Sequence, residues 1–309
     1  MSLSRAARER GLFVLLCLIW GSTWLALKIG ASAVPPGLFS GTRWTAAGAI
    51  LLLWLALRGE RVRVRSDLWP RLIAVGLLMI SLNAVIMMYG LRFVGSGLAS
   101  IISAALTPLS MLGFAVAFGQ EPWTRRQTMA MAVGLSGILV LFGPDAFSGK
   151  EGVAELLGAA LQIVGCLCYS AGSVLARPLM RSMTPPQLGG FANLVGGMLL
   201  LVFSIPFEPG ARQALTLDWG VAAWSAWAFL LVVSSLAATM IYFTLIRDWG
   251  ASRTSTYAFV SPVIAVFLGT VLQGERLDIR DALGMMLMLG AAGLALHRPA
   301  KAARGGPAS

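Results

Sequence analysis

Ionisable chemistry is scarce in this chain. Of its 309 residues only 13 are acidic and one is histidine, and no Asp or Glu lies deep within any of its long apolar runs. The lone histidine, His297, closes the last such run, where an interfacial role outweighs a catalytic one. With no depth-matched cluster of His, Asp and Glu, and no Ser-His or metal-ligand spacing, neither a catalytic residue nor a metal site nor a cofactor is expected. Cysteine is as sparse: Cys17, Cys166 and Cys168 all sit in apolar runs. The last two point about 200° apart around a helix, so they cannot grip one ion together. They read as small packing residues without a disulfide framework. No cleavable signal peptide is evident. The first apolar run, Gly11 to Ile29, follows Arg5, Arg8 and Arg10 and is long enough to span a bilayer, so it is expected to stay as the first helix.

What fills the chain instead is apolar surface. Hydrophobic residues make up 57% and charged residues 12%, with mean hydropathy +0.79, which excludes a soluble domain and indicates an all-α integral membrane protein. The formal net charge of +11 would suggest nucleic acid on one soluble face. Here the basic residues fall in short gaps between apolar runs, so membrane lipid and a small-molecule substrate are the expected partners and nucleic acid is not. Counting runs long enough to span predicts ten helices, at 11–31, 36–57, 70–90, 94–119, 124–143, 156–176, 185–206, 219–246, 250–273 and 278–297. The gaps at Gly90 to Val94 and Arg247 to Gly250 admit only tight hairpins. With the N-terminus inside, 17 basic residues fall on the cytoplasmic side and six outside, which predicts both termini in the cytoplasm of a cell (inner) membrane. Trp69, Trp123, Trp219, Trp224 and Trp249 then read first as interface belts.

The helices repeat. An offset of 154 residues aligns Leu91 with Leu245, Ala104 with Ala258, Pro108 with Pro262, Glu121 with Glu275, Arg126 with Arg280, Met131 with Met285 and Leu135 with Leu289. A weaker match sets Pro35-Pro36 against Pro185-Pro186. Each unit holds five helices, and because five is odd the second enters the membrane from the opposite side, an inverted repeat about a pseudo-two-fold axis in the membrane plane. The expected organisation is a first repeat at 1–143, a linker at 144–155, a second repeat at 156–297 and a tail at 298–309. Thr107-Pro108 and Ser261-Pro262 fall in the middle of corresponding runs. Proline has no amide hydrogen and frees a backbone carbonyl at mid-membrane depth, so Pro108 and Pro262 are expected to be hinge or broken-helix positions beside the binding site.

The run from Gly97 to Pro108, followed by Gln120-Glu121-Pro122 and Gly134-Leu-Ser-Gly137, resembles the signature of the EamA family of the drug/metabolite transporter superfamily. Trp20-Gly-Ser-Thr-Trp24 and Arg43 are similar to that family's opening, and Ser261-Pro262, Gly274-Glu275-Arg276 and Asp281-Ala-Leu-Gly284 repeat the match in the second half. The resemblance implies alternating access to a central cavity and export of metabolites. The amino-acid exporters of the YddG type are the most similar in overall pattern. Drugs, sugar phosphates and nucleotide sugars are alternative solutes within the superfamily, and an integral membrane enzyme is the rival from another class. The superfamily's small multidrug exporters use a buried glutamate in their first helix, where this chain has Trp20-Gly-Ser-Thr-Trp-Leu-Ala. Facilitated diffusion or exchange therefore fits better than proton coupling.

What remains for substrate contact is largely neutral. Trp20, Thr23, Asn83, Tyr89, Ser103, Tyr169, Ser173, Tyr242 and Tyr257 lie within or at the ends of apolar runs, where a hydroxyl or amide needs a partner. Each singly is more often an interhelical hydrogen bond than a ligand. As a group they suit a zwitterion with an apolar or aromatic side chain, whose termini helix ends could bind. Arg43, about two turns into the second helix, could attract a carboxylate or phosphate; because the family pattern carries it whatever the solute, a structural role is favoured. Ala130-xxx-Gly134, Gly134-xx-Gly137 and Gly290-xx-Gly293 put small faces on the fifth and tenth helices, which lets helices approach closely; the family resemblance implies a scaffold or a homodimer contact for these two helices.

Overall fold

Backbone amides in hydrocarbon must be satisfied within their own segment, which a helix does. A computed structural model describes residues 5–60, 62–90, 93, 96–146, 153–261, 263–264 and 279–296, and among them there is no strand. The helices are α1 (Arg5–Ala33), α2 (Pro36–Leu57), α3 (Ser66–Gly90), α4 (Ser96–Ala117), α5 (Arg125–Ala146), α6 (Val153–Leu179), α7 (Pro185–Phe207) and α8 (Gly220–Trp249). A ninth, α9, opens with Ala251–Thr254 and resumes at 257–261, and the last, α10, is Ile279–Leu296. Each falls on an expected run. Five of them (α2, α3, α6 from Leu156, α7 and α8) are long and apolar enough to cross a membrane. Side chains such as Leu57, Val221 and Ile279 lie on the outside of the bundle, where lipid would cover them. Pro262, Glu275, Arg276 and most of the hairpin after Gly90 lie outside the described residues.

Local sequence explains where helices start and stop. Pro36 and Pro185 occupy the first turns of α2 and α7, where a missing amide hydrogen costs nothing. Thr184 and Gln187 close a capping box on α7. The expected hairpin at Arg247 to Gly250 is tighter still, since Gly250 alone separates α8 from α9, at φ +91°. Helix α1 begins at Arg5, six residues before its apolar run, because its charged first turns continue the helix beyond the run.

The packing is two-fold. Exchanging helix n with helix n+5 maps the pairs α2·α7 and α5·α10 onto themselves and α1·α8 onto α6·α3, and all of these pairs are in contact. The α2·α7 seam depends on glycine: a Cβ on Gly48 would collide with the backbone of Leu194, and one on Gly197 with that of Thr45. In the α5·α10 pair, Gly137 packs on Met288, while Gly290 and Gly293 face open space. Arg126 adds a tie, donating through Nε to the Leu294 carbonyl at 2.7 Å. The repeat extends to irregularities: α3 widens to π-helical turns at Gly76–Leu82 and α8 at Leu230–Ala238, and the two stretches begin 154 residues apart. The chain is thus an all-α integral membrane protein of ten helices in two inverted five-helix repeats. The membrane face where α1 starts is called the near face, and the other the far face.

Candidate functional site

Where α1, α6, α8 and α9 meet, four aromatic rings from both repeats converge. Trp20 of α1 lies 4.2 Å from the Tyr257 ring and 5.1 Å from that of Tyr242. Tyr242 in turn lies 5.8 Å from Tyr169 and 6.2 Å from Tyr257. Tilted and edge-on contacts of this kind suit aromatic quadrupoles. The tyrosines need polar partners when buried, and the bundle supplies one. Tyr242 Oη donates to Ser173 Oγ at 2.8 Å, and Ser173 Oγ donates to the Tyr169 carbonyl at 2.8 Å. Tyr169 Oη makes no hydrogen bond among the described residues. Polar groups of α4 line the next layer, with Ser110 Oγ 2.6 Å from Ser170 Oγ, and Ser103 and Thr107 facing Cys166. Five of the expected residues, Trp20, Tyr169, Ser173, Tyr242 and Tyr257, therefore form one cluster, and Ser103 borders it.

The remaining expected residues go elsewhere. Thr23 Oγ1 donates to the Trp20 carbonyl of its own helix at 3.1 Å. Asn83 joins α3 to α6, donating to the Gly165 carbonyl at 3.1 Å. Tyr89 sits at the far face with its Oη 3.5 Å from Glu208. Helix α4 runs on through Pro108, and Ser110 two residues later donates to the Leu106 carbonyl at 2.7 Å. Arg43 is buried between α2 and α8, bonded to Ser235. Two tryptophans expected at interfaces turn inward: Trp219 stacks on Trp224 at 4.5 Å and is buried, and Trp249 is engaged in the near-face contacts described next.

Two carboxylates that hydropathy hides tie helix ends together at the two faces of the bundle. At the far face Glu208, just beyond α7, accepts from the amides of Gly37 and Leu38 at 3.0 and 3.1 Å, and from Ser204. Its charge thus caps the first turn of α2, where the helix dipole is positive. At the near face Glu9 accepts from Trp249 Nε1 at 2.8 Å, while the Arg253 guanidinium lies 4.3 Å above the Trp249 ring. Alongside, Glu121 pairs with Arg177 at 3.6 Å and leaves no room for a Cβ on Gly250. Both carboxylates sit at span ends rather than in apolar runs. Their only signal in the sequence was an acid next to a helix boundary.

The EamA-like transporter family matches residues 10–143 and again 156–296. The chain belongs to that family. It is 32% identical over 272 residues to the Escherichia coli protein named "uncharacterized inner membrane transporter YedA", covering 87% of this chain and 84% of that one. It is 27% identical over 273 residues to the Bacillus subtilis "uncharacterized transporter YoaV", covering 88% and 90%. A solved crystal structure at 21% identity superposes with a TM-score of 0.76 over 93% of this chain and 98% of that one, which supports the fold. The EamA chain described here is a multi-pass membrane transporter, and none of these names states a solute.

Proposed function

We propose that this EamA transporter exports amino acids with aromatic or other apolar side chains by alternating access of its two repeats. The observation that carries this reading is the ring cluster of Trp20, Tyr169, Tyr242 and Tyr257, drawn from both repeats and tied by the Tyr242 to Ser173 hydrogen bond. Aromatic faces with a few hydroxyls suit an apolar side chain that carries polar termini. Glu208 closes the far end of the path and Glu9, Glu121 and Arg177 the near end. Releasing one end while the other stays closed gives alternating access. Among the described residues no carboxylate belongs to the ring cluster, which favours facilitative movement or exchange. The excess of basic residues at the near face makes that face cytoplasmic in a cell membrane.

Counter-flow in liposomes tests this. Labelled phenylalanine is expected to accumulate transiently when unlabelled phenylalanine or leucine is inside, and not when the lumen holds a sugar phosphate. Equal accumulation with every internal solute, or none with any amino acid, sinks the amino-acid reading.

A further inference from the structure

A cation inside a membrane protein costs at least ~3 kcal/mol on insertion scales and is usually paired. Arg43 of α2 is 3% exposed. Its Nη1 donates to Ser235 Oγ at 2.5 Å, its guanidinium lies 4.3 Å above the Trp44 ring, and its Nε makes no hydrogen bond among the described residues. No carboxylate among the described residues pairs with it. On the same Ser235, Asn193 of α7 donates through Nδ2 to the backbone carbonyl at 3.1 Å, and its Oδ1 is buried without a partner among the described residues. A ring face and a hydroxyl solvate a guanidinium but do not neutralise it. Around Ser235, one buried donor on Arg43 and one buried acceptor on Asn193 have no partner among the described residues.

Pseudo-symmetry separates structure from charge here. At the 150-residue offset of Pro36 and Pro186, Arg43 corresponds to Asn193; at the 154-residue offset, Ser235 corresponds to Ser81. Both serines lie in the widened turns of α3 and α8. Ser81 bridges to α7 by donating to the Gly196 carbonyl at 2.8 Å, with no cation involved. Joining a second helix to the third helix of the other repeat thus needs a polar bridge but not a charge. At the symmetry-related seam the bridge carries no charge.

We propose that Arg43, with Ser235 and Asn193, is the carboxylate-binding subsite of the transport site. The guanidinium binds the solute carboxylate, a countercharge that none of the described residues supplies, and Asn193 Oδ1 accepts from the adjoining ammonium. Ser235 and Tyr242 are seven residues apart on α8, about 10 Å along the axis. A side chain of aromatic size extends from the cation towards the rings across that distance. Trp44, under the guanidinium, packs against the same core as Trp20, Tyr169 and Tyr257. This subsite rests on the amino-acid reading, and its test tells the two apart.

The full chain, purified, is melted with phenylalanine, phenylalaninamide or 3-phenylpropionate, because a ligand that binds the folded state raises Tm. Phenylalanine and 3-phenylpropionate are expected to raise Tm and the amide is not. In Arg43→Gln the concentration of either carboxylate needed is expected to rise roughly tenfold or more, while Arg43→Lys retains part of the effect. A rise with the amide equal to that with phenylalanine overturns the subsite and leaves amino-acid transport standing. A rise with 3-phenylpropionate but not with phenylalanine upholds the subsite and retires the amino-acid solute. No rise with either carboxylate, or an unchanged carboxylate preference in Arg43→Gln, overturns it. Should Arg43→Gln fail to fold, the three-ligand series on the unmodified chain still decides.

Discussion

Removing the hydroxyl of Tyr242 leaves Ser173 donating to the Tyr169 carbonyl, so the Ser173 hydroxyl stays satisfied as a donor and loses only the hydrogen bond it accepted from Tyr242. Tyr242→Phe is therefore expected to cost only about 1 kcal/mol in stability, the net worth of one hydrogen bond, yet to lower phenylalanine counter-flow well beyond that loss. Melting and counter-flow on the same preparation check it; a fall in yield and rate together marks the bond as packing alone. Gly250 is a second residue with a sharp outcome. Its φ of +91° with ψ of 166° is a conformation that only glycine adopts readily, and a Cβ there would strike Glu121. Gly250→Ala should destabilise by about 1–3 kcal/mol from backbone strain, with further loss from the collision. Adding Glu121→Ala should recover the second part only, as successive melting curves would show. At this scale Tyr169, Tyr242 and Tyr257 could be picked out because a hydroxyl in an apolar run stands out, although the same signal also picked Tyr89, which lies at the far face. Glu208 and Glu9 were not, because an acid at a span end looks solvated until the neighbouring helix ends fold against it. Asn193 was hidden for another reason: neutral and one of many small polar residues, it gains meaning only from the Ser235 carbonyl beside it.

Helices follow from hydropathy so closely that α2, α3 and α7 end within a residue of their runs. What hydropathy cannot carry is the hydrogen-bond register inside a helix. The widened turns of α3 and α8 have the same apolar composition as the turns around them, and they place Ser81 and Ser235. Pro108 shows the converse. A proline in the sequence promises a break, but α4 accommodates it without stopping, as membrane helices do when neighbours and hydroxyls compensate. Pro108→Ala restores the amide donor to the Ala104 carbonyl. The variant is expected to melt no lower than the natural chain and to transport more slowly, measured as the initial counter-flow rate. An unchanged rate would make Pro108 a tolerated kink without a hinge role.

Two-fold order is the property of the whole molecule that the sequence displayed most openly. The 154-residue offset seen in scattered identities reappears as the self-pairing of α2 with α7 and α5 with α10, and as the matched start of the widened turns. Departures from the symmetry were not legible, since Arg43 opposite Asn193 requires knowing which residues superpose. The proposed carboxylate subsite lies at one of those departures. Helix ends are tied by different chemistry at the two faces, a helix-capping carboxylate at the far face and the Glu9–Trp249 and Glu121–Arg177 contacts at the near face. Alternating access requires the two to open in turn. The most direct test is a pair of spin-label distances in liposomes, with the three native cysteines replaced, one between Thr124 and Arg247 across the near face and one between Ala33 and Ala154 across the far face. Saturating phenylalanine is expected to lengthen one distance and shorten the other. Two distances that change in the same sense, or that both stay fixed while counter-flow proceeds, contradict alternating access by the two repeats.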